Sequence, residues 1–261
     1  MKLNFFSASL CFFLPALYAS AAAAVDSTAV ETTLGIAGQE AAKYSGSSDY
    51  SFNVLPYIKL QYGNYYLDSE RGLGFETELG NGFYVSQALG YTTGRKDRDS
   101  DWRQGSDRLK GMGSIKSAVN SSTTLGWQVA DWVAIEGNLT APLTDSQGMQ
   151  YAAALKFSII DTATDTLGIA TTANFGDSRY NNLFYGVSAK QSQRSRFNAF
   201  HASSGLYSYE ADISWLHYFD NHWSGYADFK YTRFAESIRK SPVVTSNNNT
   251  ELTLGLLYTF K

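Results

Sequence analysis

The chain has 261 residues, a net charge of −3, a mean hydropathy of −0.25 and 15% aromatic residues, with 18 Tyr and 16 Phe but only 4 Pro. Such a weak charge gives no reason to invoke nucleic acid. After the first two dozen residues, no apolar run reaches the roughly 18 residues a membrane helix needs, and the single cysteine, Cys11, excludes a disulfide framework.

Residues 1–24 are expected to be a cleaved signal peptide. Met1-Lys2 is a charged start, Leu3 to Ala19 is apolar, and Ser20 to Ala24 is a run of small residues. Leu10, not a small residue, precedes Cys11, which argues against lipidation. Residues 25–261 are then expected to form one domain without a cofactor.

From there the chain alternates apolar and polar residues with a period of two. This pattern predicts strands near 30–41, 53–62, 65–69, 72–79, 83–93, 114–127, 133–143, 149–160, 166–176, 201–218, 224–234 and 250–260. A strand about 9–11 residues long crosses a bilayer at a tilt, whereas sandwich strands are nearer 5–6. The connections also alternate. Gly63-Asn64, Gly80 to Gly82, Ala130 to Trp132, Asp161 to Asp165 and Phe219 to His222 are short. Tyr44 to Ser51, Gly94 to Gly113, Asp145 to Gly148, Ser178 to Arg196 and Ala235 to Asn249 are longer and polar. Asp68 to Gly72 looks like a tight bend, which leaves ten strands as the alternative count. The fold class is therefore an all-β, up-and-down transmembrane antiparallel barrel of about twelve strands. Its short turns are expected to be periplasmic and its longer loops extracellular. An even strand number would put both termini in the periplasm.

The final strand carries Leu252, Leu254, Leu256, Tyr258 and Phe260 on one face. It is expected to close against the first strand, because an unmet backbone group in lipid costs several kcal/mol. Its terminal aromatics suit the headgroup level and resemble an outer-membrane assembly signal, with Lys261 as an added residue.

The opposite strand faces send Lys59, Glu76, Glu78, Lys116, Glu136, Lys156, Glu210, Asp212, Asp228, Lys230 and Glu251 toward the lumen, seven acids against four bases. Glu210, Asp212, Asp228 and Lys230 fall on adjacent strands. The functional reading is a pore with weak cation preference; the plain one is a lumen filled by ion pairs.

Enzyme chemistry is not expected. His201, His217 and His222 pair with no nucleophile by motif, and no G-x-S-x-G occurs. Asp97, Asp99 and Asp101 open like a calcium loop, but Trp102 stands where Gly is required and Arg108 where the bidentate Glu belongs. No metal site is expected. Arg95, Lys96, Arg98, Arg103, Arg108 and Lys110 of the same loop read as contacts to lipopolysaccharide phosphates.

Several motifs resemble the MipA/OmpV family, the MltA-interacting proteins of Gram-negative outer membranes. Tyr44-Ser45-Gly46-Ser47-Ser48-Asp49-Tyr50 is similar to its Y-x-G-S-x-x-Y stretch, and Leu109 to Gly113, with Gly111 and Gly113, to its L-x-G-L-G element. The run from Asp177 through Tyr180 to Tyr185-Gly186-Val187 resembles D-x-x-Y-x-x-x-Y-F-G-V, and Ser241-Pro242-Val243-Val244 resembles S-P-L-V. The resemblance implies an outer-membrane barrel in contact with lipid and lipopolysaccharide. It also implies a scaffold role joining a lytic transglycosylase to a penicillin-binding murein synthase, with porin-like and adhesin-like members as alternatives. A scaffold would be expected to use periplasmic turns, and the turns read here are very short.

Overall fold

The computed structural model describes residues 30–100 and 103–260. The leader at 1–24 with Cys11, the pair Asp101-Trp102 and Lys261 lie outside them. Twelve antiparallel strands form a closed barrel, each paired with its sequence neighbours and the last with the first. They are β1 (Glu31–Ala42), β2 (Tyr50–Tyr62), β3 (Tyr65–Asp68), β4 (Gly72–Gly80), β5 (Phe83–Thr92), β6 (Ala118–Ala130), β7 (Val133–Pro142), β8 (Gln150–Asp161), β9 (Asp165–Gly176), β10 (Gly205–Tyr218), β11 (Trp223–Phe234) and β12 (Asn248–Phe260). Closure runs from Thr32↔Phe260 to Ala41↔Glu251, so the ends of the sheet satisfy each other.

The period-two alternation of the sequence becomes an inside–outside alternation, broken at bulges near strand ends. Leu34, Ile36, Phe52, Val54, Leu125, Ile135, Leu155, Ile213, Leu254 and Leu256 are all exposed on the outer wall. A continuous apolar band of this kind, around a closed barrel, is solvated by lipid. At the turn end, aromatic rings gather as a girdle. Phe83 stacks on Trp127 at 5.4 Å, Trp132 stacks on Phe157 at 6.2 Å, and Tyr258 meets both Trp223 and Phe260.

A cluster of polar side chains interrupts the outer wall near mid-height. Gln87 Nε2 donates to Ser121 Oγ at 2.7 Å, and Thr123 Oγ1 donates to Gln87 Oε1 at 2.6 Å. These side chains satisfy each other across the β5–β6 pair, as groups away from water must.

The tight bend after β3 is an Asx turn. Asp68 Oδ1 accepts from Glu70 N–H at 2.7 Å and from Arg71 N–H at 3.1 Å. Gly72 takes the positive φ that lets β4 start. β6 and β10 begin later than the alternation suggests. Before β6, the Lys116 carbonyl accepts from the Gln147 side chain, and Lys116 itself is an exposed loop residue and not a lumen one. Before β10, Asn181 and Asn182 side chains take the carbonyls of Ser203 and Ala202, which removes them from a ladder.

The long loops hold helices that strand periodicity does not reveal: α1 (Ser178–Tyr185), α2 (Ala189–Arg194) and the single turn α3 (Glu236–Arg239). Their start signals are in the sequence. Asp177 accepts from Tyr180 N–H, and Ser188 with Gln191 forms a reciprocal capping box.

Candidate functional site

The loops of the long end pack into a cap with its own apolar cores. Tyr44, Leu109, Met112, Val187, Phe197 and Val243 form one; Tyr185, Ala202, Phe234, Ala235 and Ile238 form the other. The motif residues are the joints of this cap. Tyr44 Oη donates to the Val243 carbonyl at 3.0 Å, and Ser45 Oγ meets Tyr185 Oη at 2.8 Å. Gly46 N–H donates to Asn249 Oδ1, and the Gly46 carbonyl accepts from Thr245 N–H at 2.7 Å. Ser47, fully buried, donates to the Asp49 carbonyl, and Asp49 pairs with Arg108 at 2.5 Å. Tyr50 Oη accepts from Thr250 N–H.

Gly111 has φ +89° and abuts the Arg194 carbonyl, and Gly113 N–H donates to Asp97. Asp177 caps α1 and also accepts from Met149 N–H, which ties in the β7–β8 loop. The Tyr180 ring lies 4.6 Å from Phe184 and 5.4 Å from Tyr207. Gly186 sits against Asn182, and Val187 bridges Phe200. Ser241 donates to the Tyr185 carbonyl, with Pro242 half-buried beside it. Burial pushes the Tyr185 phenol up.

Three of the loop cations expected to meet lipid phosphates instead turn into the cap. Arg95 is 3% exposed and donates to the Phe184 carbonyl at 2.6 Å. Burial pushes its guanidinium down to about 10. Arg103 donates to the Thr93 and Ile115 carbonyls, and Arg108 holds Asp49. Arg98 and Lys110 remain exposed. The aspartates of the calcium-like run are engaged by protein donors: Asp97 by Gly113 and Ser114, Asp99 by Lys43 at 2.8 Å. Among the described residues no group of three or more His, Cys, Asp or Glu is placed to hold a metal. His217 pairs with Asp165 at 2.8 Å, His222 bonds the Thr259 carbonyl, and His201 is an exposed loop residue.

Under the cap lies a cavity of about 640 Å³. Ladder register aligns two rows of inward residues at its level, several of which line it. One reads Tyr84, Gly126, Glu136, Ala154, Thr172, Glu210, Thr232, Asn249; the next, toward the turn end, reads Lys156, Ala170, Asp212, Lys230, Glu251. Lys156 Nζ stands 2.6 Å from Glu136 Oε1, and Lys230 Nζ 3.7 Å from Glu251 Oε1. Glu136, Lys156, Glu210, Lys230 and Glu251 line the cavity. Asp212 and Asp228 are buried nearer the turn end, in a layer with Ser214, Ser224, Tyr226 and Thr253. The lumen is thus a capped polar vestibule above a packed layer.

These features define a class: a transmembrane β-barrel of outer-membrane type whose interlocked loops roof a charged lumen. The family model described as MltA-interacting protein MipA matches residues 34–260, and the chain belongs to that family. No curated protein matches it. Among solved structures it is similar to the COG4313 outer membrane channel from Pseudomonas putida F1, at 13% identity, covering 90% of this chain and 98% of that one, with a TM-score of 0.49. It is also similar to the KdgM porin (7% identity, 88% and 99% covered, TM-score 0.45) and the NanC porin (10%, 86% and 98%, 0.44).

Proposed function

We propose that this barrel sits in a Gram-negative outer membrane, loops outward and both termini periplasmic, and is a narrow channel for small polar solutes, which enter the capped vestibule and cross the polar layer of Asp212, Asp228 and their neighbours beneath it. The observation that carries the reading is the cavity of about 640 Å³ walled by Glu136, Lys156, Glu210, Lys230 and Glu251. Its volume falls within the range of small-molecule sites. Acidic side chains outnumber basic ones along the lumen, which supports a weak cation preference. Exposed loop cations such as Arg98 and Lys110 support a contact with lipopolysaccharide phosphates. The test is conductance of the purified protein in a planar bilayer. Steady current, with cation preference reduced by Glu210→Gln, is expected; a silent bilayer overturns the channel reading.

A second reading rests on family membership: a scaffold between a lytic transglycosylase and a penicillin-binding protein. The turn end offers such partners little, since Gly63-Asn64 and Asn81-Gly82 are two-residue connections. Co-purification of a transglycosylase with a bilayer-silent barrel is the outcome that favours it. An adhesin role would use the cap's outer surface.

A further inference from the structure

The barrel wall is incomplete on one side. β3 pairs only with Lys59–Tyr62 of β2, so residues 50–57 of β2 are paired with β1 but meet no strand on their other side among the described residues. β4 begins at Gly72 and its ladder with β5 extends only to Leu89, so Gly90–Thr92 also face no strand there. Between β2 and β5, above the β3–β4 turn, the wall has a notch.

The notch edge has the chemistry of an unpaired ladder. Ile58 exchanges bonds with Ser69: its carbonyl accepts from Ser69 N–H at 2.9 Å, and its own N–H donates to Ser69 Oγ at 3.2 Å. Ladder groups alternate sides every second residue, so Pro56, Val54 and Phe52 also turn theirs toward the notch. Proline, which has no N–H to leave unmet, suits an edge position. The flanking side chains suit lipid: Phe52 is 71% exposed, Val54 54% and Tyr91 49%. Behind the edge, the inward residues Ser51, Asn53 and Leu55 line the same cavity as Phe52, Val54 and Tyr91. A cavity bordered by both faces of β2 reaches the outer wall. Bare ladder groups at the depth of the acyl chains cost several kcal/mol each unless a polar group meets them.

We propose that this notch is a lateral portal through which a single-chain amphiphile with an uncharged hydrogen-bonding head passes between the surrounding leaflet and the vestibule. The apolar flank takes the chain, and the notch backbone and the cavity's serine, asparagine and threonine side chains take the head. An uncharged head fits because the cation beside the notch is already answered: Arg71 lies 3.4 Å from Glu76 and 4.0 Å above the Tyr66 ring, and Glu70 of the same turn, which also lines the cavity, adds a hydrogen-bonding carboxyl for a hydroxyl head. A single chain fits because the cavity, at about 640 Å³, has the size of a small-ligand site.

The test places the full-length protein in phosphatidylcholine vesicles containing a diazirine-bearing hexadecanol, followed by irradiation and residue-level mapping of adducts. Adducts are expected on inward Asn53 and on the far wall at Asn138 and Thr140, besides outward Phe52 and Val54. Asn53→Trp, which fills the portal from within, is expected to lower the far-wall adducts several-fold and leave the outward ones unchanged. Ser51→Trp serves the same purpose should that variant fail to fold. Adducts confined to outward residues overturn the portal, as do far-wall adducts that both Trp variants leave unchanged. Lumen adducts in a protein that is silent in the planar bilayer uphold the portal while removing the channel.

Discussion

Lys156 and Glu136 meet at 2.6 Å on neighbouring strands, with only 12% and 6% of their side-chain surfaces exposed. The same carboxylate oxygen also accepts the Tyr84 hydroxyl at 2.5 Å, so one acid joins β5, β7 and β8 across the vestibule wall. Removing one partner of a buried pair leaves a desolvated charge behind and costs about 3–5 kcal/mol, whereas replacing both is far milder. Lys156→Met is therefore expected to lower the guanidinium unfolding midpoint in detergent micelles strongly, and Lys156→Met with Glu136→Gln to recover most of the loss. Equal losses for the single and double variants would show that Glu136 does not depend on Lys156.

Tyr84 reaches Glu136 only because Gly126 stands between them. Tyr84, Gly126 and Glu136 are ladder partners in one row, and a Cβ on Gly126 would lie 2.0 Å from the Tyr84 ring. Gly126→Ala is expected to force the ring aside at a cost of about 1–3 kcal/mol, as overpacking does. The control is Gly137→Ala one strand on, where an added Cβ meets nothing within 4 Å. That change is expected to stay within about 0.5 kcal/mol. Comparable losses for the two would remove the steric account.

The strands are legible in the sequence because lipid outside and charge inside impose a two-residue period. The readings at 133–143 and 224–234 differ from β7 and β11 by a single residue. Even the bend at Asp68 to Gly72 is written in an Asp and a Gly. Alternation gives side but not packing: it sends Glu210 and Asp212 inward alike, yet only the packed side chains show that Glu210 lines the vestibule while Asp212, in register with the lining residue Lys230, is buried beneath it. The loops are less legible, since a basic loop reads as solvated until Arg95 is seen bonded to the Phe184 carbonyl. The notch leaves one trace in the sequence, Pro56 inside a strand.

The cap depends on glycines at strained places. Gly111 has φ +89°, and an added Cβ would lie 2.1 Å from the Arg194 carbonyl oxygen at the end of α2. Gly111→Ala must strain the backbone and push the two loops apart. Limited proteolysis is expected to cut the 177–204 loop faster while the thermal transition of the barrel is unchanged. Unaltered cleavage would mean that the cap is not held at this contact.

The cap also has an electrostatic latch, Lys43 to Asp99 at 2.8 Å, beside the Gly105 N–H bond to the Lys43 carbonyl. The hydrogen bond from Lys43 holds the Asp99 carboxyl below its ordinary 3.8, and the same bond raises the Lys43 ammonium above 10.5. The Asp99 contribution is present above 3.8 and is lost as pH falls through the depressed value. The Lys43 contribution is present below 10.5 and is lost as pH rises through the raised one. Asp99 is exposed, so the effect is small and screened by salt. Amide exchange at Gly105, corrected for its intrinsic pH dependence, is expected to stay flat across neutral pH and to rise in acid. Lys43→Met should abolish that acid rise, and a rise that survives it would place the latch elsewhere.

On the lipid side, Gln87, Ser121 and Thr123 form a closed set of hydrogen bonds at 2.7 and 2.6 Å. Leaving one member of such a set unmet costs about 1–3 kcal/mol, while replacing all members by apolar groups of similar shape is nearly neutral. Gln87→Leu alone strands the Thr123 hydroxyl, which donates to it, and is expected to lower the unfolding midpoint. Gln87→Leu with Ser121→Ala and Thr123→Val is expected to restore it, because the wall then offers lipid only hydrocarbon. The opposite order, with the triple variant less stable than the single, would mean that these polar groups meet something beyond each other, and a second copy of the chain is then the first partner to seek, by crosslinking at Leu125→Cys.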